Sequence, residues 1–267
     1  MADTVYRRSS ALISRRRVLR ACGAVAAAAA TPRGFADAAG GVTIGMRAYT
    51  AIFPGGTGAY FDHDYYRDRH LAMMQRLYGA ALTRVEARRP LIIEGEPPCP
   101  YAAIVNFWIP EPEVFAKASA AHGQDLVRDK VHFTNVEQKV QSEAVFGATG
   151  DPASAIRVGD RCLTVLYPYD PADRFDHEYC RDQHVPSLVE MFGREAITRV
   201  EVRKGLSSPN GREPPLYSCT ANIYVSDARA FAAAESRNRQ RIDDDVRRFT
   251  SVSPVSLMTE VIGAFDA

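Results

Sequence analysis

One pattern appears twice in this chain. Phe61-Asp62-His63-Asp64-Tyr65-Tyr66-Arg67-Asp68-Arg69-His70 recurs as Phe175-Asp176-His177-Glu178-Tyr179-Cys180-Arg181-Asp182-Gln183-His184. The echo continues downstream: Thr83-Arg84-Val85-Glu86 returns as Thr198-Arg199-Val200-Glu201, Tyr101 as Tyr217, and Asn106 as Asn222. Phe133-Thr134 returns as Phe249-Thr250, so the offset drifts only from 114 to 116. Solenoid and propeller units run roughly 20–50 residues. A period this long marks a duplicated domain, and 267 residues hold two copies of about 105 each.

Each copy has the same order of elements. In the second, Arg161 to Tyr167 is a short β-branched run closed by Pro168, which predicts a strand. Asp173 or Asp176 caps a helix over 175–192, whose apolar residues Phe175, Tyr179, Val185, Leu188 and Phe192 keep helical spacing. Gly193 ends it. A strand over 196–206 with one wet face follows, then a turn at Ser207 to Gly211 and a strand from Tyr217 to Val225. Ser226-Asp227 opens a second helix, and Val252 to Ile262 closes as a strand. The first copy predicts strands 42–53, 82–93, 101–109 and 136–146, with helices over 62–78 and from Glu111.

The order β-α-β-β-α-β is the ferredoxin-like unit of α+β proteins. Its antiparallel sheet carries both helices on one side and leaves the other face bare. Two copies in one chain cover each other, so the predicted fold is an intramolecular pseudo-dimeric α+β barrel of tandem domains at 42–147 and 158–267. Residues 148–157, rich in Gly, Ala, Asp and Pro, form the linker.

Net charge excludes some partners. The overall +1 hides an asymmetry, because the first 36 residues hold seven Arg and one acidic residue. The remainder carries 26 basic and 31 acidic residues, which gives no cationic footprint for nucleic acid. The basic start resembles a twin-arginine export signal: Ser14-Arg15-Arg16-Arg17-Val18-Leu19-Arg20, an Ala-rich stretch from Ala21 to Ala30, and small residues near 34–38 suited to cleavage. Residues 1–38 are therefore expected to direct the protein to the periplasm or outside the cell. The apolar stretch falls short of the roughly 20 residues that span a bilayer, so stable membrane insertion is not expected. Cys99, Cys162, Cys180 and Cys219 show no Cys-x-x-Cys spacing, hence no zinc or redox motif.

Most of the repeated polar residues sit on the first helix of each copy. His63 with His70, and His177 with His184, stand seven apart, about 10 Å along a helix, so they do not make a one-metal pair. His63 and His177 read as first-turn surface or capping residues. His70 and His184 are candidate proton shuttles, because histidine titrates near neutrality; the alternative is a structural role. Asp68 and Asp182 stand two residues before them, which is off-face on a helix and argues against a ready dyad. Tyr65 and Tyr179 offer a phenol to the same pocket mouth or pack in the core. Asp129 and Asp245 also recur, on the second helix. Arg84 and Arg199 bind an anionic group or face solvent, and Asn106 and Asn222 are pocket residues or outward-facing. Glycine-rich phosphate loops, Gly-x-Ser-x-Gly elbows and zinc signatures are absent from the sequence.

With Phe175 to Pro186 in view, the chain resembles the EthD family of the dimeric α+β barrel superfamily. The likeness rests on the aromatic-Asp-x-x-Tyr-Tyr-Arg-Asp-x-His-x-Pro helix, on Pro97-Pro98 and Pro214-Pro215 before the third strand, and on the Asp-x-x-x-Phe-Thr end of the second helix. It covers both halves. The first half departs at Ala72, where the second has Pro186, and the second departs at Cys180, where the first has Tyr66. The superfamily includes cofactor-free oxygenases, haem enzymes, isomerases and non-catalytic members. The resemblance thus implies an oxidoreductase or oxygenase-like enzyme acting on a small hydrophobic organic molecule, with His184, Asp182 and Tyr179 at the site and His70 and Asp68 as counterparts. A carrier for a similar ligand is the alternative. The expected chemistry needs no cofactor; haem on His184 or His70 is a further option, supported by the export route.

Overall fold

The computed structural model describes residues 42–92, 99–150 and 156–266. The segment read as an export signal, Pro97-Pro98 and half of the linker lie outside the described residues. The first half is built from β1 (Arg47–Pro54), α1 (63–78), β2 (Arg84–Pro90), β3 (Tyr101–Ile109), α2 (Pro112–Asp129) and β4 (Lys139–Gly150). The second half repeats it with β5 (Arg161–Pro168), α3 (177–192), β6 (Ile197–Ser207), β7 (Tyr217–Val225), α4 (Ala228–Phe249) and β8 (Val255–Asp266). The last strand of each half starts three residues later than the sequence predicts and runs four further, so β4 enters the segment read as linker. Among the described residues no helix is long and apolar enough to cross a membrane.

The eight strands close into one antiparallel barrel in the order β1-β3-β2-β8-β5-β7-β6-β4. Two of its seams join the halves. β2 pairs with β8 from Arg84↔Asp266 to Pro90↔Thr259, and β4 pairs with β6 from Ser142↔Ser207 to Gly150↔Arg199. Each half therefore lends its last strand to the other, and closure leaves no strand edge unpaired.

The outer barrel face carries two apolar cores, one under each helix pair. The first gathers Phe53, Phe61, Tyr66, Met74, Leu82, Val105 and Phe133, with Ile262 and Phe265 supplied by β8. The second gathers Tyr167, Cys180, Leu188, Phe192, Val200, Phe231 and Phe249, with Phe146 of β4 packed against it. A glycine on each borrowed strand makes room for the helix above. A Cβ on Gly263 would stand 2.5 Å from Leu71 Cδ1, and one on Gly147 would stand 3.1 Å from Arg181 Cγ.

The inner face is polar, which corrects the expectation that the 196–206 strand has a wet face. Arg199, Glu201 and Arg203, and their counterparts Arg84, Glu86 and Arg88, point into the closed lumen and are at most 2 % exposed. Closure turns what would be a solvated sheet face into an interior. Glu201 accepts from Arg199 and Arg203 at 2.5 Å each and from the Trp108 indole at 3.2 Å. Arg203 then crosses to the first half, donating to Asn106 at 2.9 Å. Arg88 makes the reciprocal crossing to Asn222 at 2.7 Å, while Tyr224 donates to Glu86 at 3.0 Å. The four guanidinium groups also lie over aromatic rings: Arg84 and Arg203 over Trp108, Arg88 and Arg199 over Tyr224.

Breaking a buried pair leaves a charge uncompensated, which costs about 3–5 kcal/mol. Glu201→Ala is therefore expected to destabilise the protein by that amount in denaturant unfolding. Arg89→Ala, which removes a half-exposed contact to Glu260, is expected to stay within about 0.5 kcal/mol.

Candidate functional site

The helix layer, not the lumen, brings titratable side chains together at a surface. Asp62 and Asp176 cap α1 and α3, their carboxylates accepting the amides of Tyr65 at 2.9 Å and Tyr179 at 3.0 Å. After one α-turn both helices widen into a π-helical stretch, Tyr66–His70 and Cys180–His184, and then resume as Leu71–Tyr78 and Val185–Phe192. Residues five apart stand about 140° apart around an α-helix, but an i→i+5 turn stacks them. Tyr65 is thereby aligned with His70, and Tyr179 with His184.

Both pairs meet one carboxylate on the neighbouring helix. Tyr179 donates its hydroxyl to Asp245 Oδ1 at 2.8 Å, and His184 Nδ1 stands 2.7 Å from Asp245 Oδ2. In the first half Tyr65 reaches Asp129 Oδ1 at 2.9 Å and His70 Nδ1 reaches Oδ2 at 2.8 Å. Both histidine rings are buried, His184 against Phe249 and His70 against Phe133 and Tyr66. Burial depresses the pKa of each against the pull of its aspartate. The Asp245 carboxyl is held below its ordinary value by the hydrogen bonds from His184 and Tyr179, which outweigh the cost of burial. At neutral pH the arrangement is thus a neutral imidazole donating Nδ1–H to a carboxylate, with the lone pair on Nε2.

Several expected site residues stand elsewhere. Asp68 and Asp182 do not meet the histidines; each forms an exposed ion pair with the adjacent Arg67 or Arg181, at 2.7 and 2.6 Å. Asp129 and Asp245 take their place, and their recurrence in the sequence was the available signal. Asn106, Asn222, Arg84 and Arg199 line the lumen, on the opposite face of the sheet from both triads. Arg84 is bound to Asp266 at 2.5 Å and Arg199 to Glu201, so neither faces solvent. His63 and His177 are half-buried and tie helix to strand, with Nε2 at 3.0 Å from the Ala102 carbonyl and 3.1 Å from that of Ser218.

A cleft of about 800 Å³ opens between α3 and α4 beside the second triad. Tyr179 and Asp245 line it, with Gln183 and Ser187 from α3 and Arg237, Asn238, Arg241 and Arg248 from α4. His184 meets Asp245 from the buried side and is not part of the wall. The surroundings of the histidines do not fit haem. A macrocycle needs a flat cavity against Nε2, whereas His184 packs on Phe249 and the space beneath α3 is filled by Val185, Leu188, Phe192 and Phe231.

No family model matches the chain, and neither does any curated protein. Solved structures do. An anthrone oxidase-like protein aligns at 11% identity over 84% of this chain and 94% of its own, with a TM-score of 0.50. A candidate monooxygenase of Fusobacterium nucleatum aligns at 9% identity over the same shares, with a TM-score of 0.53. Both likenesses are of fold, and the chain is a dimeric α+β barrel closed within one polypeptide. An EthD-like protein of Ralstonia eutropha is 29% identical over 38% of this chain and 91% of its own, with a TM-score of 0.34.

The buried histidines give stability a pH dependence of definite sign. Each binds its proton less readily folded than at its ordinary value of 6.5, so the unfolded chain binds more protons on acidification. Stability is complete above about pH 6.5 and falls as the pH drops towards the lowered pKa values. The melting temperature is expected to drop between pH 7.5 and 5. The drop should be smaller in a His70→Gln/His184→Gln double variant, referred to its own value at pH 7.5.

Proposed function

We propose that this chain is an exported EthD-like oxidoreductase of the oxygenase type, acting without a cofactor on a small organic molecule held in the cleft between α3 and α4. The observation that supports it is the Tyr179–Asp245–His184 unit, whose carboxylate and phenol line a cleft of substrate size. The likeness in fold to an anthrone oxidase-like protein and to a candidate monooxygenase favours the same class by analogy.

In this reading the roles differ from the sequence expectation. The proton acceptor is Asp245, because it and not His184 reaches the cleft. His184 is a positioning residue: its Nδ1–H holds one carboxylate oxygen and keeps the group ionised. Tyr179 gives its hydroxyl proton to the same carboxylate, so at the cleft wall its oxygen is an acceptor for an O–H of the substrate. Removal of a proton from an activated carbon or phenol leaves an electron-rich anion, which dioxygen oxidises.

A second reading has its own support. The same triad occurs in the first half, and in both halves it fastens the two helices together, so the unit serves equally in a non-catalytic binding protein.

Oxygen uptake and product formation with phenolic and enolisable aromatic compounds separate the two. As an enzyme, the wild type turns over. Asp245→Asn should then lose about 10²–10⁴-fold in rate, the range for general acid–base catalysis, and Asp182→Asn should stay at wild-type level. His184→Gln is expected to lower kcat and to raise the pH at which activity appears, through the carboxylate it supports. Unchanged turnover in Asp245→Asn would overturn its role as the proton acceptor, and binding with no turnover in the wild type would establish the binding protein instead.

A further inference from the structure

The duplication lets the two triads be compared position by position, and they differ in what surrounds them. Around the second, α4 supplies Arg237, Arg241 and Arg248 to the cleft. The repeat places Ala121 and Asp125 at the corresponding positions of α2 and His132 in the turn just beyond its end. At these three positions one half has cations where the other has a methyl group, a carboxylate and an imidazole. The first half in turn has Arg69 at the place of Gln183 and Arg128 at that of Asp244, and Arg128 is engaged by Asp125 at 3.2 Å.

The cationic groups of the cleft are weakly engaged, whereas its carboxylates are committed. Asp245 accepts from His184 and Tyr179, and Asp244 accepts from Arg247 at 2.7 Å and Gln240 at 3.0 Å. Arg241 has only long contacts, 3.4 Å to Ser187 and 3.8 Å to Glu190. Arg248 reaches the Tyr179 hydroxyl at 3.4 Å, and Arg237 forms no ion pair among the described residues. Guanidinium groups match carboxylate geometry through paired N–H donors, and their aliphatic stems, like the Tyr179 ring, give the cleft an apolar wall. In the first half His132 instead lies stacked on Tyr65, with ring centroids 5.7 Å apart, on the phenol that would face a ligand there.

We infer that the ligand of this cleft is a small organic anion, an aromatic carboxylate of one or two rings, and that the second half alone binds it. The inference rests on the reading of the α3–α4 cleft as the site. Arg237 and Arg241 take the carboxylate, and the ring lies along the arginine stems towards Tyr179 and Asp245.

The test is calorimetric titration of the full chain with benzoate and 1-naphthoate and with their methyl esters. At least one acid should bind with one site per chain, at least tenfold more tightly than its ester, and more weakly as salt rises. Arg237→Ala/Arg241→Ala should lose at least tenfold in affinity for the acid, while His132→Ala should leave it unchanged. Esters that bind as well as the acids, two equivalent sites, no binding of either acid, or full affinity in the double variant would each overturn the inference. Its failure is separable from that of the proposed function. Acid binding without turnover sinks only the enzyme, and turnover that depends on Asp245 without preference for the acid sinks only the anion specificity.

Discussion

The reciprocal crossing of Arg88 and Arg203 through the barrel lumen is the interaction on which the rest of the structure depends. Each belongs to an Arg-x-Glu-x-Arg strand, and each leaves its own half to reach an asparagine of the other. Buried ion pairs add little net stability against a well-packed apolar core, but a missing partner is severely penalised. An arrangement of this kind is therefore better understood as fixing register. The charges match when β2 pairs with β8 and β4 with β6 in the observed register, and a slip of one residue would turn them into the apolar layer beneath the helices. With the lumen filled in this way, it is the helix layer outside that brings titratable side chains together beside a cleft.

There the decisive local feature is the π-helical stretch. A regular α-helix would point Tyr179 and His184 in different directions. The extra residue in the turn brings both onto one side, where a single aspartate of α4 serves them. The same widening places Tyr66 and Cys180 in the core beneath. It therefore does two jobs, seating the helix on the sheet and gathering a phenol, a carboxylate and an imidazole at its edge.

The sequence discloses the repeated unit because alternation, turn residues and spacing act locally: β3 and β7 fall where the patterns put them, and α4 starts after its capping Asp227. Glu86 and Glu201 looked solvated because alternation tells two faces apart without saying which is closed off; closure is a property of all eight strands. The partnership of His184 with Asp245 escaped for a related reason. The two are 61 residues apart, and the nearby Asp182 competes for attention while its side chain turns out to Arg181. A π-helical stretch leaves no periodicity signal of its own within five residues. What the sequence did offer was recurrence, since Asp129 and Asp245 are the acidic residues that the second helices keep at matching places beside Phe133-Thr134 and Phe249-Thr250.

Fusion of the two halves changes what each position is free to become. In a homodimer every substitution appears twice, across a shared lumen where charge must balance. In one chain the lumen departs from symmetry in compensating ways. Glu143 accepts from Gln141 and Thr220 on the first side, while the position answering it on the second is Thr259, and there Cys162 rather than a carboxylate lies 3.0 Å from Arg88. Trp108 and Tyr224 likewise differ as rings, yet each donates to the glutamate of the opposite half. Such changes must be made in concert because the lumen side chains are buried and no bulk solvent takes up an unmatched charge. The outer faces of α2 and α4 carry no such restriction, since an arginine there costs only side-chain freedom in water. The two triads are thus held alike by the packing that seats α1 and α3, and the residues around them are free to diverge, which is where a duplicated barrel can acquire specificity in one half alone.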